Sequence, residues 1–238
     1  DVVDDSDLRR GRQTANALFG NAASVLVGDF VYSRAFQMMV SVQNMRVMQI
    51  LADATNVIAE GEVLQLMNMH DPDVTESRYL QVIRSKTAKL FEAATELGSL
   101  LAGAAEEQIA AAAEYGRSLG TAFQLIDDVL DYSGNQSDIG KNVGDDLREG
   151  KPTLPLIYLM QHGTEQQRKL VRQCISHGDE AHFDEILTAV TTSGALEYTR
   201  QQAESAAQRA KDSIQGLPEG PYKDALIALA SFAVERNH

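Results

Sequence analysis

The sequence predicts an all-α fold in a single domain, and three observations carry that expectation. Apolar residues recur at three- and four-residue spacing along most of the chain, while strand-like alternation is nowhere sustained. Only five prolines occur in 238 residues. With 44% hydrophobic residues and no tryptophan, the chain is long enough for one well-buried domain, and nothing in it demands a second.

Helices are expected over roughly 13–19, 22–40, 44–69, 75–102, 106–131, 152–161, 165–177, 180–192, 194–215 and 221–236, with ends good to about two to four residues. Local punctuation supports these cuts. Asp71-Pro72-Asp73 precedes Thr75, whose hydroxyl can cap the helix that follows, with Glu76 and Ser77 in its first turn. Gly150-Lys151-Pro152 and Leu217-Pro218-Glu219-Gly220-Pro221 are comparable breaks. Segments 44–69 and 75–102 are apolar around much of their circumference, as expected of central helices in a bundle. The Ala-rich stretch 102–113 reads as helix propensity.

Composition excludes several classes of function. A net charge of -13, spread along the chain, argues against a nucleic-acid surface. Any anionic substrate must then be met by local cations or metal. The single Cys174 excludes an internal disulfide and fits a reducing cytoplasm, where such a residue is most often a small apolar one. No apolar run approaches the roughly 18 to 20 residues of a transmembrane segment. The histidines (His70, His162, His177, His182 and His238) show no metal-ligand spacing, and the methionines read mostly as core.

Two acidic clusters stand out against this background. The helix ending near residue 131 carries an apolar stripe (Leu119, Phe123, Ile126, Leu130) and then Asp127, Asp128 and Asp131 in its final turns. The helix dipole is negative there, so three carboxylates are locally unfavourable unless something positive binds them. Asp127 and Asp131 share a face, where they can chelate a hard divalent ion or hold the ions that carry a diphosphate. In isolation the same residues also read as a solvated helix end. The second cluster, DVVDDSDLRRG, spans Asp1 to Gly11 and ends in Arg9-Arg10. Two acid clusters, one with an arginine pair and one followed by Lys141 across a Gly/Ser/Asn-rich loop, describe a site for Mg²⁺ and a polyphosphate.

DVVDDSDLRRG resembles the first aspartate-rich motif of the trans-isoprenyl (polyprenyl) diphosphate synthases, DDxxD…RRG, with its leading Asp cut off, and GTAFQLIDDVLD resembles the second. GNAASVLVGDFVYSRAFQMM, EGEVLQLMN, SKTAKLFEAA and GKNVGDDLREGKPTLPL are similar to the long-chain branch of that family, so the resemblance covers essentially the whole chain. It implies an isoprenoid-synthase helical bundle around a central cavity, formed by residues 1–238 as one domain apparently lacking its N-terminal helices. The implied reaction joins an allylic diphosphate, such as farnesyl diphosphate, to successive isopentenyl diphosphates. The product would be a long-chain all-trans polyprenyl diphosphate, octaprenyl for quinone side chains, with Mg²⁺ as cofactor. A homodimer, a cytoplasmic location and peripheral membrane contact for product release follow from the same likeness.

Residue by residue, the resemblance assigns Asp1, Asp4, Asp127, Asp128 and Asp131 to metal. It assigns Arg9 to the allylic diphosphate, Arg10 to isopentenyl diphosphate, and Lys141 and Lys151 to closure over a diphosphate. Lys86 and Thr87 sit in an apolar helix where a buried ammonium needs an anionic partner, and the likeness gives them the allylic diphosphate and the developing cation. Gln124, one turn before Asp127, has an amide oxygen able to face a carbocation; a plain polar core residue is the alternative. Asp145 and Asp146 read equally as partners of the ligands or as loop acids. Met39 and Leu51 are candidates for the floor of the product tunnel, about 25 Å below the diphosphates at about 1.5 Å per helical residue, or else for ordinary core packing. Two rivals share these features. A terpene cyclase would replace the second motif by an Asn/Ser/Glu triad, and a non-catalytic subunit of a heteromeric synthase would lose acids; this chain keeps DDVLD.

Overall fold

The computed structural model describes residues 2, 8–9, 12–133, 144–178 and 182–236. Two-residue strands β1 (Leu8–Arg9) and β2 (Arg12–Gln13) form a small antiparallel ladder. Helices follow: α1 (Ala15–Phe19), α2 (Asn21–Ser41), α3 (Met45–Asn68), α4 (Glu76–Ile83), a π-helical turn (Arg84–Ala88), α5 (Lys89–Leu101) and α6 (Glu106–Ser133). The remainder is α7 (Asp145–Arg148), α8 (Leu154–His162), α9 (Glu165–His177), α10 (Phe183–Thr192), α11 (Ala195–Ser213) and α12 (Pro221–Glu235). Caps explain several of the ends. Asn44 accepts from the amides of Arg46 and Val47, Thr75 from that of Arg78, and Thr164 with Gln167 makes a reciprocal capping box. The all-α expectation holds. The ladder, α7 and the π-turn were not anticipated, and 75–102 is two α-helices joined by that turn.

The centre of the molecule is α6, which is buried at nearly every position from Tyr115 to Leu130. This differs from the expectation that 44–69 would be central. Of α3, only Val47, Ala54, Gly61 and Asn68 are buried, a seven-residue stripe, and α2 buries Met39 alone. Small residues decide the matter, because they set how closely backbones approach. Cβ atoms placed on Gly116 and Gly120 would lie 2.4 Å from the Phe91 carbonyl oxygen and 2.6 Å from Ala88 Cα, so α5 and the π-turn lie directly on the α6 backbone. On its other side Ala122 meets Ala206 and Ala207 of α11, an alanine stripe that serves the same end.

Further clusters extend from this axis. Tyr115 and Leu119 pack with Ala210, Ile214, Ala230 and Ala233, and the Tyr115 hydroxyl donates to the Leu226 carbonyl at 2.8 Å. Buried Lys223 ties down the loop between α11 and α12, donating to the Gln215 and Leu217 carbonyls and to Glu219. Tyr132, Leu147, Leu156, Val171, Cys174 and Ile186 join the end of α6 to α7 through α10, and Cys174 is a buried apolar residue as expected. In this chain by itself, α2 presents Leu26, Val27, Phe30 and Val31 to solvent.

Gly120→Ala tests the close approach. The added methyl would overpack against Ala88 at a cost of about 1–3 kcal/mol, against a helix-propensity gain of up to about 1 kcal/mol. Thermal unfolding of the variant should therefore show a lower Tm; an unchanged or raised Tm would mean that α5 and α6 can part freely.

Candidate active site

The site is built where the π-turn crosses α6. A π-turn carries an extra residue per turn and recurs at functional positions. Here it holds Lys86 and Thr87. Gly61 of α3 makes room for it: a Cβ there would sit 2.6 Å from the Lys86 amide nitrogen and 2.8 Å from Ser85 Cβ. Lys86 Nζ lies 3.1 Å from a Glu62 carboxylate oxygen, which supplies the anionic partner a half-buried ammonium requires.

A chain of hydrogen bonds runs from the π-turn into α6. Thr87 Oγ1 donates to Gln124 Oε1 at 3.1 Å, Gln124 Nε2 donates to Asp128 Oδ1 at 3.0 Å, and the Tyr79 hydroxyl donates to Asp128 Oδ2 at 2.6 Å. Asp128 is 2% exposed, and each of its oxygens already accepts from a protein donor. This departs from the expectation that Asp128 joins Asp127 and Asp131 as a ligand. It lies one residue, about 100°, around the helix from Asp127, and that rotation turns it into the core. Burial and then the Asp146 carboxylate push Asp128 up, to about 8, while the Tyr79 and Gln124 hydrogen bonds hold it down. Burial and Asp128 likewise raise the Tyr79 phenol well above its ordinary value.

Asp127 faces outward, 40% exposed, and is met by Arg236 from the end of the chain at 3.0 Å. The same guanidinium donates to the Phe123 carbonyl at 2.6 Å and lies 3.8 Å from the centre of the Phe123 ring. It answers the excess of negative charge at the end of α6, whose last turn holds no basic residue. The Asp131 carbonyl accepts from the Gly144 amide at 2.7 Å, so α7 returns to the foot of α6. Lys151 there pairs with Glu149 and lies 3.7 Å from Asp146.

The structure thus brings Thr87, Gln124 and Asp128 together, places Lys86 on the same π-turn, and sets Lys151 among the acids of α7 and its following loop. Asp1, Asp4, Arg10 and Lys141 lie outside the described residues, and Arg9 lies on β1. Met39 is buried at 6% exposure and Leu51 is half-buried. Among the described residues no three acidic, thiol or imidazole groups converge on one point. The donors at the end of α6 nevertheless fit a hard divalent ion: they are carboxylates, and Asp127 already holds a cation in the form of Arg236. Sequence reasoning missed Tyr79, Glu62 and Arg236. Tyr79 and Arg236 stand 49 and 109 residues from the acids they touch, and no local pattern marks them.

Comparison with known proteins agrees with this geometry. Residues 1–191 match the family described as Polyprenyl synthetase. The chain is 57% identical over 238 residues to octaprenyl diphosphate synthase of Escherichia coli, covering all of this chain and 74% of that protein. It is 56% identical over 239 residues to the Haemophilus influenzae octaprenyl diphosphate synthase, covering all of this chain and 73% of that one. Among solved structures, polyprenyl synthase from Caulobacter crescentus, crystallised with calcium and isoprenyl diphosphate, matches with a TM-score of 0.96. It is 44% identical, and the match covers all of this chain and 73% of that chain.

Arg236→Ala tests whether the guanidinium stands where a divalent ion would. In a chelator the variant should be less stable by about 1–2 kcal/mol, the loss of a charged hydrogen bond reduced by partial exposure. Added Mg²⁺ should then raise its Tm by more than it raises that of the unaltered protein, because the ion no longer displaces Arg236. Equal increments in the two proteins would exclude Asp127 from the ion's binding place.

Proposed function

The chain belongs to the polyprenyl synthetase family, and from that premise we infer that it is a long-chain trans-polyprenyl diphosphate synthase. It is a prenyltransferase that joins an allylic diphosphate to successive isopentenyl diphosphates. The identity of 57% along the whole chain to an octaprenyl diphosphate synthase carries this reading and extends it to an octaprenyl product. Neither a terpene cyclase nor a non-catalytic subunit is favoured by that likeness.

The reaction requires a pyrophosphate to leave while its negative charge grows, and an allylic carbon to become cationic as it does so. Mg²⁺ bound at Asp127 and Asp131, with Asp1 and Asp4 from the first motif, would neutralise the diphosphate and accept that growing charge. Asp128 is left out of this set because its oxygens serve Tyr79 and Gln124. Arg9, Lys86, Lys141 and Lys151 hold the allylic diphosphate, and Arg10 the isopentenyl one. The oxygens of Thr87 and Gln124 present lone pairs toward the allylic cation. Met39 and Leu51 close the product tunnel.

The exposed apolar face of α2, with Val27, Phe30 and Val31, supports a homodimer whose partner covers that face. No described helix is long and apolar enough to cross a membrane. We place the enzyme in the cytoplasm, with peripheral membrane contact at product release.

Incubating the full-length protein with farnesyl diphosphate, isopentenyl diphosphate and Mg²⁺, followed by chromatography of the products, tests the reading. Octaprenyl diphosphate is the expected product, and absence of any polyprenyl product would defeat the assignment. In the same assay Asp127→Ala should abolish turnover with its helical spectrum intact, since the partly exposed Arg236 contact it loses is offset in part by relief of repulsion at the negative end of α6. A near-normal rate with unchanged Mg²⁺ dependence would remove Asp127 from the mechanism. Met39→Ala should lengthen the product; an unchanged product with stability lowered by about 2–5 kcal/mol would make Met39 a core residue only.

A further inference from the structure

One buried ionisable pair, Tyr79 with Asp128, has no part in binding metal or diphosphate in the reading above, yet it is built into the site. Asp128 stands one helical turn after Gln124 on α6, and the two side chains are hydrogen-bonded at 3.0 Å. Gln124 has two chemically opposite ends, an acceptor oxygen and a donor NH₂. The Thr87 hydroxyl cannot decide between them, because a hydroxyl donates or accepts as its neighbour requires. Asp128 can decide. In its ionised form, the form that the donors at both its oxygens, Tyr79 at Oδ2 and Gln124 at Oδ1, stabilise, the carboxylate has no hydrogen to give, so turning the Gln124 amide over would set its oxygen against Asp128 Oδ1 and leave two acceptors facing each other inside the protein. The observed arrangement directs NH₂ at Asp128 and leaves Oε1 beside Thr87.

A buried carboxylate can hold this role only if it is itself held. The Tyr79 hydroxyl does so from α4, donating to Oδ2 at 2.6 Å. Tyr79 is buried among Ile83, Leu125 and Leu130, which lock its ring. With Thr87 donating its single hydroxyl hydrogen to Gln124, the Thr87 and Gln124 oxygens are both left with lone pairs between the π-turn and α6. Such a surface suits a cation and repels a second anion.

We infer that Asp128, anchored by Tyr79, is a positioning residue that fixes the polarity of the Gln124 amide, so that its oxygen and not its NH₂ group meets the allylic cation. This rests on the prenyl-transfer reading. It gives the middle acid of DDVLD a task different from that of its neighbours: Asp127 and Asp131 meet the departing anion, and Asp128 governs the group that meets the cation. Specificity of the arrangement lies in the carboxylate itself. An Asn at position 128 can present either end of its own amide, and Gln124 is then free to turn over.

The test compares two ligands of the full-length protein in the presence of Mg²⁺, using calorimetry. One is an ammonium analogue of farnesyl diphosphate, in which a protonated nitrogen replaces the carbon that carries the charge; the other is farnesyl thiolodiphosphate, neutral at that carbon. Asp128→Asn should weaken the ammonium analogue about tenfold or more and lower kcat by about 10²-fold, the scale of one misplaced group in a site of this kind. The thiolodiphosphate Kd, the KM for farnesyl diphosphate and the Mg²⁺ concentration for half-maximal rate should each stay within about twofold, because uniform binding is untouched. The losses of Asp128→Asn and Gln124→Leu should not multiply in the double variant.

Tyr79→Phe carries the same selective loss in smaller measure and provides the test if Asp128→Asn does not fold. Equal weakening of both ligands, or a raised Mg²⁺ requirement, would make Asp128 part of the metal and diphosphate site and overturn the inference. So would losses that multiply, or variants that bind both ligands normally. An unaltered protein that binds neither prenyl ligand would instead bring down the prenyl-transfer reading, and the inference with it.

Discussion

The structure depends on how closely the backbone of one segment, Arg84 to Phe91, approaches two other helices. Three glycines permit it: Gly61 of α3 at the Lys86 amide, Gly116 of α6 at the Phe91 carbonyl, and Gly120 at Ala88. Any side chain at these positions would force the helices apart by the width of a methyl group or more, and dense packing gives little room to absorb that. Everything polar in the site inherits its position from this contact. Thr87 reaches Gln124 only because the turn carrying it lies against α6, and Lys86 reaches Glu62 only because α3 closes on the same turn. The extra residue of the π-turn breaks what would otherwise be one continuous helix from Glu76 to Leu101. A straight α-helix over that span would rotate Lys86 and Thr87 relative to the residues on either side.

The second organising constraint is electrostatic. Three carboxylates end the central helix where its dipole is negative, and two neighbours among them are treated differently. Asp128 is taken out of water and given two donors, whereas Asp127 is left half in solvent and paired with Arg236. Such separation of neighbouring acids by environment assigns different chemistry to residues that are identical in the sequence. The accumulated charge is an energetic liability in the absence of cations, and the Arg236 guanidinium at Asp127 answers part of it. The family to which the chain belongs carries out a reaction in which both signs of charge appear at once, on the pyrophosphate and on the allylic carbon. An outward-facing acid, Asp127, and the Gln124 amide oxygen one turn before it on one rigid helix suit that requirement.

The helices were legible from periodicity, and the entry at Thr75 from its capping hydroxyl; the structure adds Asn44 and Thr164 as caps, each accepting the amide hydrogen bonds that a helix entry leaves unmet. The acids of DDVLD, Lys86, Thr87 and Gln124 were also legible, because their spacing and their resemblance to a known family are properties of the chain read in one dimension. Identification of α3 as central failed for a physical reason. An apolar circumference says that a helix tolerates burial, whereas the helix that takes the centre is the one whose small residues let others approach, here Gly116, Gly120 and Ala122.

What the sequence determined by itself was the set of local conformations and the chemical groups available, since both follow from interactions among residues a few positions apart. Only the tertiary structure decided which groups meet. Tyr79 and Asp128, Arg236 and Asp127, and Lys86 and Glu62 are joined by long-range packing, and nothing in the flanking residues of any one of them names its partner. The distinction between Asp127 and Asp128 is the clearest case: adjacent and identical in the chain, they differ in environment because a rotation of about 100° along a helix leaves one 40% exposed and the other in the core.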